Sequence, residues 1–278
     1  MYSILNGKLI LEKDAVIPIT DKAYFFNFCV YSSLKVIQGE IFYGEYHIER
    51  LLDSAKMIDL YCDFSKEEIL DWLRLLIKKN KTQDALLRIT LLGDIEKNKN
   101  ARLYITQITG LTYYPKQVYR DGIRVITYPG ERLIPQAKTK DLLLGFLAFR
   151  EAKKMGAKEA LLIDHDENIR EGTQTNFWAV RGNEVVTAAG DKIVEGVTRK
   201  IIFAAICDYN KNKLKSEEAI NLREGDIAFR NLEKYDEFFI TSTTRNIMPI
   251  AQIDEMEEIK KFPVTKKIQK IFKNYLKK

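Results

Sequence analysis

The dipeptide Asn6-Gly7, set between the apolar runs 2–5 and 8–11, constrains the chain before any other feature does. Asn-Gly supplies the two positive φ values of a type I′ turn, so the flanking runs are expected to pair as a β-hairpin. Residues 28–37 read as a further strand, with Tyr31, Ser33 and Lys35 on one face and Val30, Leu34 and Val36 on the other. Two helices are then expected. Ile48, Leu51, Leu52, Ala55 and Ile58 recur at helical spacing across 46–60 and leave His47, Arg50 and Ser54 along an adjoining stripe. The second starts at Ser65, whose hydroxyl can cap the backbone while Glu68 closes a capping box; Ile69, Trp72, Leu73, Leu76 and Ile77 form its core face. Strands at 85–92 and 101–109 flank a polar tip from Asp94 to Asn100.

The pattern breaks between Tyr113 and Gly122, around Pro115. A link at 118–122 is therefore expected to separate a domain of residues 1–117 from one of residues 123–278. In the second, 123–128 alternates as a strand that Pro129-Gly130 ends, and 139–155 reads as a helix with Leu142, Leu143, Phe146, Leu147 and Phe149 on its apolar side. Strands at 159–164, 176–181 and 184–188, a helix from about Thr198 and a strand at 237–242 leading to Thr243-Thr244 complete the reading. Both halves are mixed α/β.

With 278 residues and 46% hydrophobic content, the chain can bury a large core. Its net charge of +6 is spread along the chain, and the only dense basic stretch is at the C-terminus, where lysines alternate with Ile268, Ile271, Phe272, Tyr275 and Leu276 at the spacing of an amphipathic helix. That reading is preferred to a nucleic-acid or membrane patch, although a non-enzymatic basic protein that binds an anionic partner through this helix is the alternative from another class. Cys29, Cys62 and Cys207 are far apart and form no Cys-x-x-Cys pair, which argues against a disulfide framework or structural zinc and fits a reducing cytoplasm. The only histidines, His47 and His165, sit in no ligand-like cluster, so no metal is expected; no signal peptide or membrane span is read either.

The segment Asn168 to Trp178 places Glu171 and Gly172 just before an apolar strand. A glycine there permits either a positive φ or a close backbone approach, and could hold the carboxylate rigidly. Taken alone, the segment reads as a solvated surface turn. It gains meaning from its company: His47-Ile48-Glu49-Arg50-Leu51, Lys138 before a helix ending Arg150-Glu151-Ala152, Gly196-Val197-Thr198-Arg199, and Thr241-Ser242-Thr243-Thr244 to Pro249. In this order the five resemble the motifs of class IV aminotransferases, the fold type IV pyridoxal phosphate enzymes, over nearly the whole chain.

The resemblance implies a small N-terminal α/β domain, a larger C-terminal pseudo-barrel domain and a homodimer. It also implies pyridoxal 5′-phosphate, which requires an amine for covalent attachment, an anion-binding cradle and an acidic partner for its ring nitrogen. Lys138, whose Lys-x-x-Asp spacing to Asp141 is similar to the family's Lys-x-x-Asn, is the implied catalytic residue, with Lys140 as rival. Arg50, supported by His47, would bind the phosphate together with Val197 and Thr198 at a helix N-terminus, and Thr243 and Thr244 would close the cradle. Glu171 would take the ring nitrogen, with Asn176 orienting its loop. Tyr31, Lys35 and Arg88 fall at substrate positions, Arg88 resembling the carboxylate-binding arginine of branched-chain enzymes.

The sequence departs from the family pattern at Phe26-Asn27-Phe28-Cys29 and at Leu142 or Leu143, where a tyrosine is usual. The implied activity is transfer of an amino group between an amino acid, branched-chain-like and L-configured, and a 2-oxo acid. A D-amino acid aminotransferase and a 4-amino-4-deoxychorismate lyase are the alternatives within the family.

Overall fold

Asn6 and Gly7 adopt φ values of 47° and 79°, and their turn joins β1 (Tyr2–Leu5) to β2 (Lys8–Leu11) in antiparallel register. The computed structural model describes residues 1–95, 99–111, 113–211 and 219–277. It divides into two units, Met1–Thr112 with Gln136–Asp141, and Tyr113–Pro135 with Leu142–Lys278.

In the first unit the hairpin is followed by α1 (Lys22–Phe25), β3 (Cys29–Ile37), β4 (Glu40–Ile41), α2 (Gly44–Met57), α3 (Lys66–Asn80), β5 (Ala85–Leu92) and β6 (Arg102–Thr109). The strands form one six-stranded sheet in the order β2-β1-β6-β5-β3-β4. Ile48 and Leu51 of α2 and Leu73 and Leu76 of α3 bury their side chains with Leu34, Ile89 and Ile105 of the sheet. Ser65 and Glu68 make both bonds of the expected capping box, and so fix where α3 begins. Of the polar tip expected from Asp94 to Asn100, residues 96–98 lie outside the described residues.

The second unit runs α4 (Lys116–Asp121), β7 (Ile123–Pro129), α5 (Leu143–Lys154), β8 (Ala160–Ile163), β9 (Ile169–Gly172), β10 (Asn176–Arg181), β11 (Glu184–Thr187), α6 (Val197–Asn210), β12 (Asn221–Glu224), β13 (Glu237–Ser242), β14 (Asn246–Ile253) and α7 (Pro263–Tyr275). Its sheet has the order β12-β11-β10-β13-β14-β7-β8-β9, and β9 also pairs with β10. Strands β10, β13, β14, β7, β8 and β9 thus close into a barrel, and β11 and β12 extend the sheet outward from β10. Phe177, Phe238, Ile240 and Met248 lie in the buried cluster that this unit builds around its strands.

Several elements differ from expectation. Residues 118–122, read as a link, fall in α4 and its terminating Gly122, whose φ is 82°. The helix read across 139–155 begins only at Leu143, and its buried side chains are Ala148 and Ala152. These small residues pack with Ile126, Ala160 and Leu162, while Leu143 and Phe146 remain 66% and 61% exposed. Alanine allows close approach of the helix to the strands, so helical spacing located an apolar side that is not the core side. Glu171 is no surface-turn residue: it lies within β9 and is 4% exposed. Strand β14 contains Pro249, which pairs with Phe239, a placement that sequence rules disfavour.

The terminal helix forms as expected, with Ile268, Ile271 and Phe272 buried; Lys278 lies outside the described residues. Both oxygens of the buried Glu237 carboxylate accept backbone N–H groups at its first turn, from Val264 and Thr265, each at 2.8 Å. Among the described residues, no helix is long and apolar enough to cross a membrane.

Candidate functional site

Pleating of β3 sends alternate side chains to opposite faces, and both faces of this strand carry site candidates. On the α2 side, Ser32 is fully buried, accepts a hydrogen bond from Arg50 Nη2 at 3.0 Å and lies 3.1 Å from His47 Nδ1. Because His47 and Arg50 are three residues apart on a helix, they reach the same serine from one stripe. Burial, and then the charges of Arg50, Lys138 and Lys35, hold the His47 imidazole well below its ordinary pKa. It therefore stays neutral at physiological pH.

The other face of β3 carries Tyr31, Ser33 and Lys35. Arg88 of β5 pairs in register with Ser33, so its side chain joins this face. Its guanidinium carbon is 5.2 Å from the Tyr31 ring centroid, and Lys138 Nζ is 5.0 Å from the same ring. The candidate amine and the candidate carboxylate binder thus share one aromatic neighbour. Lys35, 7% exposed, places Nζ 3.9 Å from the Phe42 ring centroid, and burial lowers its pKa from 10.5 to about 8.

Lys138 belongs to the first unit although it follows 113–135 in sequence. Its carbonyl accepts the Tyr31 N–H at 3.0 Å, and Lys140 N–H donates to the Cys29 carbonyl at 3.1 Å. Its own N–H donates to Ser54 Oγ at 3.1 Å. Residues 138–140 thereby lie along β3, which is why α5 cannot begin at residue 139.

In the second unit, Glu171 Oε1 accepts from Arg132 Nε at 2.6 Å, and Arg132 Nη2 donates to the Thr173 carbonyl at 2.8 Å. One guanidinium thus ties the carboxylate to the turn that follows it. Gly172 has no positive φ; a Cβ there would run into Thr175 Oγ1 and crowd Glu159, so close approach is what requires glycine. The backbone of Asn176 pairs with Glu171 in the bridge between β9 and β10 that closes the barrel. Its side chain is not directed to this loop as expected but donates to the Val194 carbonyl at 2.8 Å.

That bond brings the start of α6 beside the barrel seam. A Cβ at Gly196 would displace Asn176 Oδ1, so glycine before Val197 and Thr198 lets the Asn176 amide keep its place. Gly196 is the N-cap and provides no side-chain cap, leaving a helix N-terminus of the kind that binds anions. Arg199 of the same motif turns inward instead, donating to the Ala188 carbonyl at 3.0 Å and pairing with Glu224. Thr243 and Thr244 occupy the turn between β13 and β14, where Ser242 Oγ accepts the Arg245 N–H at 3.2 Å.

Glu159, fully buried, links the two turns. Its carboxylate pairs with Arg245 Nη1 and accepts from Thr173 through N–H at 3.2 Å and Oγ at 2.5 Å. Sequence reasoning missed Arg132, Glu159 and Arg245, and also Ser32 and the partner of Ser54. The one available signal was position: Arg245 directly follows Thr243-Thr244, and Glu159 opens a read strand with a charge.

The amino-transferase class IV family profile matches residues 30–253. A Methanocaldococcus jannaschii protein provisionally named a branched-chain-amino-acid aminotransferase is 30% identical over 99% of this chain and 96% of its own length. A D-alanine aminotransferase of Listeria monocytogenes is 28% identical over 98% of this chain and 95% of its own. The crystal structure of the Escherichia coli branched-chain amino acid aminotransferase superposes with a TM-score of 0.86 at 24% identity, covering 98% of this chain and 93% of that one. At that identity the likeness shows the fold.

Proposed function

Since the chain belongs to the class IV aminotransferases, whose cofactor is pyridoxal phosphate, we propose that it transfers the amino group of a branched-chain-like L-amino acid to a 2-oxo acid. The single observation that carries the substrate reading is Arg88 on the same ring as Lys138, with a planar fork suited to a carboxylate.

The residues present fit the cofactor. The start of α6 is kept clear by Gly196, and Glu171 is buried yet held ionically by Arg132. When bound, the cofactor supplies an electron sink for the substrate carbanion. Arg50, Val197 and Thr198 would bind its phosphate, with Thr243 and Thr244 adding hydroxyls. Glu171 would hold a proton on the ring nitrogen by charge pairing, and Asn176 would act indirectly, by fixing the approach to α6. Lys138 would carry the cofactor and, once released, move a proton at the substrate Cα. Tyr31 and Lys35 would line the substrate side.

We also propose a homodimer in the cytoplasm. Its support is apolar surface exposed within each unit, at Phe25 and Phe26 in the first and at Leu143 and Phe146 in the second, together with three free cysteines. A D-amino acid substrate is the second reading, favoured by the Listeria relative.

The test is borohydride reduction of the yellow protein and mapping of the adduct, followed by turnover of L-leucine, D-alanine and 4-amino-4-deoxychorismate. An adduct on Lys138 with L-leucine turned over fastest is expected. An adduct elsewhere removes Lys138 from its role, and faster D-alanine turnover replaces the substrate.

A further inference from the structure

Helix α6 opens between two charges that its own dipole treats oppositely. Unpaired N–H groups and the positive end of the dipole favour an anion at a helix N-terminus and disfavour a cation. Glu195 directly precedes the N-cap Gly196, where a carboxylate could satisfy those N–H groups from within the chain, and Gly196 itself provides no side-chain cap. Arg199, in the first turn, is a cation only 1% exposed. The acid does not cap the helix: its Oε1 accepts from Arg199 Nη1 at 3.3 Å.

Neighbours other than Glu195 hold Arg199 in place. Its Nη2 donates to the Ala188 carbonyl at 3.0 Å and pairs with Glu224 of β12, and its guanidinium carbon lies 4.8 Å from the ring centroid of Phe203, one turn further along α6. These three contacts set the plane of the fork and present Nη1 to Glu195. The Glu195 side chain is 56% exposed, so packing alone does not fix its carboxylate. A buried cation, opposed by the dipole, is thus retained where it engages the one acid that adjoins the helix start.

We propose that Arg199 is a positioning residue that holds the Glu195 carboxylate to the side of α6 and so leaves the N–H groups of Val197 and Thr198 to the cofactor phosphate. The inference rests on the proposed phosphate role of that helix start. Without the arginine, Glu195 competes with the phosphate for the same donors and lowers the positive potential there. Arg199 need not touch the phosphate, since its own donors are turned to Ala188, Glu224 and Glu195.

The experiment measures, by fluorescence titration, the ratio of affinities for pyridoxal phosphate and pyridoxal, so that effects common to both ligands cancel. Arg199→Met should lower this ratio about fivefold, the scale of one charge at a helix end. Adding Glu195→Gln should restore it, a rescue that a merely structural arginine would not show. Adding Glu224→Gln instead, which removes an equal charge from β12, should not. No restoration by Glu195→Gln, or equal restoration by both, overturns the proposal. Should Arg199→Met not fold, Glu195→Asp makes the same test with the arginine intact. Its shorter side chain loses the guanidinium, and the ratio should fall about threefold; an unchanged ratio overturns the proposal. Failure of the underlying reading shows separately in Val197→Pro, which deletes one N–H at the first helical position, where proline is accommodated. That ratio should fall about tenfold, and an unchanged one would place the phosphate away from α6.

Discussion

The two units hold their charged candidates by different means. In the first, Arg50 donates to the hydroxyl of Ser32, Lys138 is placed by Ser54 and lies against Tyr31, and Lys35 lies over Phe42. In the second, the carboxylates of Glu171 and Glu159 are met by the guanidinium groups of Arg132 and Arg245. A hydroxyl or ring orients a cation without matching its charge. An arginine fixes the geometry of a carboxylate and also supports its charge after desolvation, so its removal leaves a buried anion. The difference teaches that breaking one of these buried ion pairs should cost more than removing one of these hydroxyls.

The sharpest way to break this contrast is Arg245→Met. Glu159 is fully buried, and loss of its cation should cost about 3–5 kcal/mol in denaturant unfolding. A cost no larger than that of a serine substitution would mean that the ion pair and the hydroxyl act alike. Glu171→Gln comes next, because it keeps the shape of the side chain and removes only the charge. Cofactor should be retained while turnover falls about a hundredfold, the scale of a lost electrostatic contribution to catalysis. Full activity would return Glu171 to a structural role.

Ser32→Ala should do the converse, keeping the Arg50 charge and loosening its aim. Its expected effect is about a tenfold loss in preference for pyridoxal phosphate over pyridoxal, measured by fluorescence titration, with the fold intact. Arg50→Ala should lower that preference further, leaving the part that the start of α6 supplies.

Lys35 bears on stability alone. Its folded pKa of about 8 lies below the ordinary 10.5, so between these values the unfolded chain binds more protons and stability rises with pH. Thermal unfolding of Lys35→Met should lack this rise and exceed the parent in relative stability below pH 8. An identical pH profile for both proteins would place Lys35 in a more solvated setting.

The same contrast separates what was legible in the sequence from what was not. Asn6-Gly7 and Ser65 with Glu68 announce their structures because the chemistry is contained within a few residues. The stripe His47, Arg50 and Ser54 was likewise visible from helical spacing. Arg132 and Glu171 are 39 residues apart, and Arg245 and Glu159 are 86 apart, so no local pattern pairs them. Strand β9 carries Ile169, Arg170, Glu171 and Gly172, all buried, and offers no alternation to read. For α5, periodicity showed an apolar side, but only packing against Ile126 and Leu162 shows that Ala148 and Ala152 face inward.

The return of residues 136–141 to the first unit has a consequence for how such a gene can be rearranged. A chain divided after residue 112 would yield a leading fragment without Lys138 and a trailing fragment with an orphaned loop. Recombination between relatives that exchanged the leading part at a single crossover would also set α2 and β3 of one relative against the 136–141 segment of the other. Inheritance of this candidate segment is thus tied to a stretch of coding sequence well upstream of it, since Ser54 and Lys138 are 84 residues apart.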